Sequence, residues 1–197
     1  MANIRKFDEQ QALEKLVEIF WRKGFEDTSL DDLVEATGIK RQSLYNSFGN
    51  KQEMFLKAYE CYLSAIDSKI AVLADAEQVS PLKKVSNIME AFLASIKDEN
   101  IPNGCFVANT VMVCSEHLHD ELKEKLQEHY ESLEGLFYQL LLEAKQQGEL
   151  SDNCKPRAIA QSILANIVAL TMFYRLNQNE AFTDNVFNEL VRSIKAA

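Results

Sequence analysis

Apolar residues recur along this chain with the period of a helix almost throughout. Leu13, Leu16, Val17, Phe20 and Trp21 fall at i, i+3, i+4, i+7 and i+8, the positions that share one helical face. Gly24 is placed to end that helix. Thr28 is then placed as N-cap of a short second helix, with Asp31 completing a capping box and Leu30, Leu33 and Val34 inward. Gly38 breaks the chain after two turns, and a second short helix runs from Ile39 to Phe48. Gly49 and Asn50 end it. Asn50 with Glu53 caps a long helix carrying Phe55, Tyr59, Tyr62, Ile66, Ile70 and Leu73.

The same period continues beyond it. Ser80 and Pro81 open a helix with Leu82, Val85, Met89, Phe92 and Ile96 inward, proline suiting the first turn. Pro102, Asn103 and Gly104 open another, nearly uncharged through Cys114. From about His117 to Gln147 runs a long stripe through Leu118, Leu122, Leu126, Tyr130, Leu133, Phe137, Leu140 and Ala144, which Gly148 terminates. Pro156 to about Leu176 contains the longest charge-free run, 17 residues between Arg157 and Arg175. That length is at the lower edge of a membrane span, and Gln161, Asn166 and Thr171 interrupt it, so it reads as a buried helix. Thr183 is placed to cap a last helix, with Phe182 and Phe187 as a hydrophobic staple. No stretch sustains period two and nothing repeats. The expectation is an all-α chain of about nine helices.

Composition narrows the chemistry. The 197 residues carry 21 Lys+Arg against 30 Asp+Glu, a formal charge of -9, and only six glycines. No two glycines stand at the spacing of a phosphate-cradling loop, so GxGxxG, GxxxxGK(S/T) and GxSxG are excluded, which disfavours dinucleotide enzymes, P-loop NTPases and common serine hydrolases. The first residues lack an apolar secretory core. Cys61, Cys105, Cys114 and Cys154 form no CxxC and no dense framework, which fits reduced thiols in a cytoplasmic protein. No paired acid and base or nucleophile constellation supports an enzyme, and no cofactor is called for. Cys114, Glu116, His117, His119 and Asp120 are the one cluster of metal-ligand types, but H-x-H places its imidazoles off one helical face, so no metal is expected.

Two helices of two turns joined by a glycine turn and braced by longer helices form the helix-turn-helix pattern. With Ile39, Leu44 and Phe48 buried, the second helix offers Lys40, Arg41, Gln42, Ser43, Tyr45 and Asn46 to solvent. From Ala36 to Gln52 there are three basic residues and no acidic one, a local reversal of the chain's sign. That is an electrostatic footprint for DNA, and Arg and Gln side chains read base edges in the major groove. Lys51 sits in the first turn of a helix, a placement unfavourable to a cation unless a phosphate shares that N-terminus. Residues 1–55 still hold eight Lys+Arg and ten Asp+Glu, so affinity must rest on a few aimed contacts.

The run from Phe20 to Leu33, then Ala36-Thr37-Gly38-Ile39, then Ser43-Leu44-Tyr45-Asn46-Ser47-Phe48-Gly49-Asn50-Lys51 resembles the TetR/AcrR family of bacterial transcriptional regulators, over about residues 7 to 60. The resemblance implies a dimeric repressor: residues 1–50 a helix-turn-helix DNA-binding domain, residues 51–197 a helical bundle that binds a small inducer and dimerises. It also implies phosphate contacts from Thr28, Tyr45 and Lys51, with Lys40 to Ser43 at the groove. Arg41 and Gln42 replace the small residue common in that stretch, so the family's base preference does not transfer.

Beyond residue 81 the resemblance is loose. Tyr62, Met89, Phe92, Cys105, Phe106, Asn109, Met112, Val113 and Phe173 fit either a pocket for an apolar ligand or plain core. Phe137, Leu140, Leu141, Ile163, Ile167 and Leu170 are the expected dimer face, the other reading being monomer core. Cys105 follows Gly104 at a helix start, which fits either a sensor thiol whose modification releases DNA or a small buried residue.

Overall fold

The computed structural model describes residues 7–98, 105–108, 110 and 120–196, and every regular element among them is helical. The helices are α1 (Glu9–Asp27), α2 (Leu30–Thr37), α3 (Arg41–Phe48), α4 (Lys51–Ala74), α5 (Pro81–Lys97), α6 (Asp120–Gln146), α7 (Pro156–Asn177) and α8 (Glu180–Lys195). Residues 106–108 and 110 are helical as well. The described residues form two compact units, one of 7–67 with residue 110, the other of 68–98, 105–108 and 120–196.

In the N-terminal unit, Asp8 caps α1 by accepting from the Gln10 and Gln11 amides at 2.9 and 3.1 Å. Ala12, Leu16, Val17 and Phe20 form its buried face. Gly24 kinks this helix instead of ending it: with φ 79° and ψ 173° it bends the chain, and helical structure resumes to Asp27. The cap of α2 also differs from the expectation by one residue. Ser29, not Thr28, is the N-cap; its hydroxyl accepts from the Asp32 amide at 3.1 Å while Asp32 accepts from the Ser29 amide at 2.8 Å. Thr28 is buried, and its hydroxyl donates to the Gly24 carbonyl at 2.6 Å, closing the kinked end of α1. Asp32 also meets the Lys23 ammonium at 2.6 Å. That hydrogen bond, reinforced by the Ser29 donors, holds its carboxyl well below the usual carboxylate range.

Aromatic packing fixes α1 on α4. The Phe55 ring meets Phe20 edge-on at 5.0 Å and Phe25 at 5.2 Å, and Trp21 meets Tyr62 at 4.8 Å. The predicted start of α4 is present in full: Asn50 Oδ1 accepts from the Glu53 amide at 3.0 Å and Glu53 accepts from the Asn50 amide at 2.7 Å. Gly49 has φ 84°, and a Cβ there would run into the Glu53 carboxylate.

In the C-terminal unit, Ser80 caps α5 with Pro81 in the first turn. The Ser80 hydroxyl also donates to Glu149 at 2.6 Å, tying this start to the turn after α6. Asn179, not Thr183, caps α8, accepting from the Phe182 amide at 3.0 Å. Gln178 in the left-handed region closes α7 just before it. Thr183 lies fully buried inside the helix, donating to the Asn179 carbonyl, and Phe182 therefore sits within the first turn instead of ahead of it as a staple residue.

Two stability outcomes follow. Gly49→Ala is expected to lower the melting temperature, because a side chain at φ 84°, ψ -154°, a region essentially reserved for glycine, costs about 1–3 kcal/mol before the Glu53 cap is displaced. An unchanged thermal midpoint would contradict the cap geometry. Asp32→Asn is expected to destabilise the N-terminal unit at neutral pH. Because the folded carboxyl titrates below its ordinary value of 3.8, that difference is complete above this value and shrinks as pH falls through the folded titration. Paired urea titrations between pH 7 and pH ~3 read it directly.

Candidate nucleic-acid interface

α3 is anchored by Leu44 and Phe48, with Ile39 buried just before it. Its other side leaves Lys40, Arg41, Gln42, Tyr45 and Asn46 exposed and Ser43 half-buried, as the apolar period predicted. The helix starts at Arg41, two residues later than expected, with Lys40 as N-cap. Lys40 makes no side-chain cap bond, so the first α3 amides are left to solvent or to an anion. Gln42 Nε2 donates to Asn46 Oδ1 at 3.1 Å across one turn, and Arg41 Nη2 lies 2.6 Å from Asp31 Oδ1. Sequence reasoning missed this partner of Arg41. Opposite charges ten residues apart carry no helical signal; only the fold of the turn at Gly38 brings them together.

Lys51 is held against the end of α1. Its ammonium donates to the Glu26 carbonyl at 3.2 Å and stands 4.6 Å from the Phe25 ring centroid. A carbonyl near a helix C-terminus and an aromatic face both attract a cation, so the side chain is pre-positioned with donors to spare. Thr28, expected among the phosphate contacts, is instead 1% exposed with its hydroxyl turned to Gly24. The structure gives its side chain a place in the α1 closure.

The C-terminal expectations separate into core and surface. Phe137, Leu140, Leu141, Ile163 and Leu170 are buried within one chain, and only Ile167 of the expected dimer face is partly exposed. The stripes of α6 and α7 satisfy each other, which corrects the expected dimer face. The apolar side chains left uncovered in the C-terminal unit include Val72 on α4, Met172, Phe173 and Leu176 on α7 and Phe182 on α8, with the Phe173 and Phe182 rings 5.4 Å apart. Ala160, Ile163, Leu170 and Thr171 of α7 are buried while Ile159, Leu164, Ile167, Val168 and Ala169 are only half-buried, so the buried helix read from sequence is partly covered in the isolated chain.

Among the pocket residues, Met89 and Phe106 are fully buried, and Phe92 and Cys105 are half-buried. Phe173 is on the surface, and Tyr62 packs on Trp21 inside the N-terminal unit. Asn109, Met112 and Val113 lie outside the described residues, as do Cys114, Glu116, His117 and His119 of the metal-type cluster. Burial pushes the Tyr130 phenol up to about 12, and the neighbouring Cys105 sulfur adds to the shift. His129, also missed from sequence, is 8% exposed on the inner face of α6.

Residues 12–58 match the family "Bacterial regulatory proteins, tetR family". Residues 81–190 match "Tetracyclin repressor-like, C-terminal domain". The chain is 30% identical over 178 residues to the HTH-type transcriptional regulator YezE of Bacillus subtilis, covering 89% of this chain and 90% of that protein. It is 28% identical over 169 residues to the HTH-type transcriptional repressor ComR of Escherichia coli, covering 86% of this chain and 80% of that one. Its fold superposes with a TM-score of 0.82 on a cysteine mutant of the TetR family regulator CifR complexed with 26-bp operator DNA, at 22% identity, covering 96% of this chain and 98% of the other. A matched C-terminal domain that alone spans more than half the chain, joined to this helix-turn-helix and to a full-length relative, shows that the chain belongs to the TetR family of bacterial DNA-binding transcriptional regulators and is not an enzyme.

Proposed function

We infer that this chain is a cytoplasmic repressor that binds a near-palindromic operator as a homodimer and leaves it when a small apolar ligand binds the C-terminal bundle. Residues 1–50 carry the DNA and residues 51–197 the ligand and the partner subunit. The observation that carries the DNA reading is the outward face of α3: a basic, hydrogen-bonding surface on a helix with no side-chain cap, in a chain of charge -9. Arg41 and Gln42 read base edges; Lys40, Tyr45 and Lys51 take phosphates, with Ser43 and Asn46 alongside. The repressor ComR is a relative of matching length, which supports repression.

Two-fold assembly is supported by α7. Ser162, Ala165, Met172 and Leu176 are exposed and Ala169 half-exposed, alternating three and four residues apart along one side of the helix. Small residues followed by large apolar ones at that spacing suit close crossing with a second copy. This stripe, together with Phe173 and Phe182, replaces the buried residues first expected as the dimer face. For the ligand, Met89, Phe92 and Phe106 supply apolar lining, and the identity of the inducer is left to a release screen.

A thiol-sensing variant of this function is favoured by one observation. Cys105 is half-buried within electrostatic reach of the Tyr130 phenol, so its thiol is partly open to reagents beside a polar group. Modification there would release DNA in place of, or alongside, a ligand.

Selection of bound DNA from a random pool tests the central reading, and a palindromic consensus is the expected result. Lys51→Ala should weaken binding to all sequences and reduce the slope of log K against log salt by about one unit. Arg41→Ala or Gln42→Ala should relax preference at particular bases by ~1–3 kcal/mol. Sedimentation should find a dimer at micromolar concentration, shifted to folded monomer by Leu176→Glu; a wild-type monomer would overturn the assembly. For the thiol variant, mass spectrometry of alkylation across pH should find Cys105 reacting before Cys61, Cys114 and Cys154. A slow Cys105, or electrophile release that survives Cys105→Ser, sinks it.

A further inference from the structure

The N-terminal face holds an ion pair that the function just described leaves unused. Asp31 stands in the first turn of α2 and Arg41 opens α3, with Nη2 and Oδ1 2.6 Å apart. The adjacent Asp32 is committed to the α2 cap and to Lys23. Asp31 takes no part in that cap, and its carboxylate remains 84% exposed beside the guanidinium. A lone anion on a surface offered to a polyanion opposes every DNA contact. An ion pair this exposed adds little to folding stability. What it does change is the freedom of Arg41. One Nη2 hydrogen is directed to Asp31, and the planar fork is left with its other donors in a restricted orientation. A guanidinium so restrained suits a two-acceptor edge such as O6 and N7 of guanine, and it no longer swings freely onto the phosphates.

We propose that Asp31 is a specificity-determining positioning residue, whose carboxylate orients the Arg41 guanidinium toward a guanine edge and keeps it off the DNA backbone. The proposal rests on the reading of α3 as the groove helix. It makes the acidic character of this unit part of the recognition: Asp31 gives up general affinity and gains discrimination through its neighbour.

The test uses the full chain, its selected operator, single-base variants of that operator, and mixed-sequence DNA. Asp31→Ala should bind mixed-sequence DNA more tightly while its discrimination at one base pair falls about 3- to 10-fold, a fraction of what a complete bidentate contact supplies. Its salt slope should steepen by about one unit as the released guanidinium reaches a phosphate. Asp31→Asn, nearly isosteric and still able to accept one hydrogen bond, should retain part of the discrimination and keeps the experiment informative if alanine loosens α2. In an Arg41→Ala background, Asp31→Ala should change discrimination no further. Tighter binding to every sequence with discrimination intact would make Asp31 a mere repeller and overturn the proposal. Loss of discrimination in Arg41→Ala with none in either Asp31 variant overturns the positioning role alone. Unchanged base preference in Arg41→Ala removes the groove reading itself, and the proposal with it.

Discussion

Everything the N-terminal unit presents depends on the clasp around Phe55. α2 and α3 are eight residues each, and helices of that length are not stable in water on their own. Their caps and hydrophobic contacts must hold them. Phe20 and Phe25, on either side of the Gly24 kink, both reach the Phe55 ring, so the kink is what lets α1 grip α4 twice. An uninterrupted helix would carry Phe25 about 140° around the axis from Phe20, too far for both rings to meet one partner. Thr28 closes the same bend from the inside. Thr28, expected among the phosphate contacts, thus closes the bend from which the chain enters α2.

Charge in this unit is spent locally. Asp32 answers both the α2 cap and Lys23, Glu53 answers the α4 cap, and Lys51 answers the end of α1. Most ionic groups are thereby drawn into short-range geometry, and the surface offered to a ligand is set by few side chains. For a chain with nine more acidic than basic residues, that arrangement favours recognition by aimed contacts over general attraction to a polyanion.

Much of this architecture was legible in the sequence. Apolar period located the long helices, Ser80-Pro81 and Asn50 with Glu53 marked two starts correctly, and the exposed side of α3 followed from Ile39, Leu44 and Phe48. Caps failed where two candidates stood close together. Thr28 and Ser29 both offer a hydroxyl, and the choice turned on Gly24, whose carbonyl takes the threonine and frees the serine. Thr183 lost to Asn179 because the left-handed Gln178 turns the chain straight from α7 into α8, which leaves Asn179 at the first position able to accept from the Phe182 amide. Ion pairs between helices, such as Arg41 with Asp31, leave no periodic trace.

The C-terminal bundle shows why a sequence stripe misleads about assembly. A continuous apolar stripe identifies the face that must be covered first, and in α6 and α7 the chain covers it by itself through Phe137, Leu141 and Ile163. The residues available for a second copy are those that fall outside that stripe. In α7 they are small or only moderately apolar until Met172 and Leu176, which is why hydrophobicity alone ranked them below the core. A helix with polar atoms at Gln161 and Asn166, no charge for 17 residues and an apolar window only partly covered is too apolar for a surface helix and too exposed for a core one. Those two properties are compatible in water when the uncovered side meets its own copy, because one surface then has only to be complementary to itself.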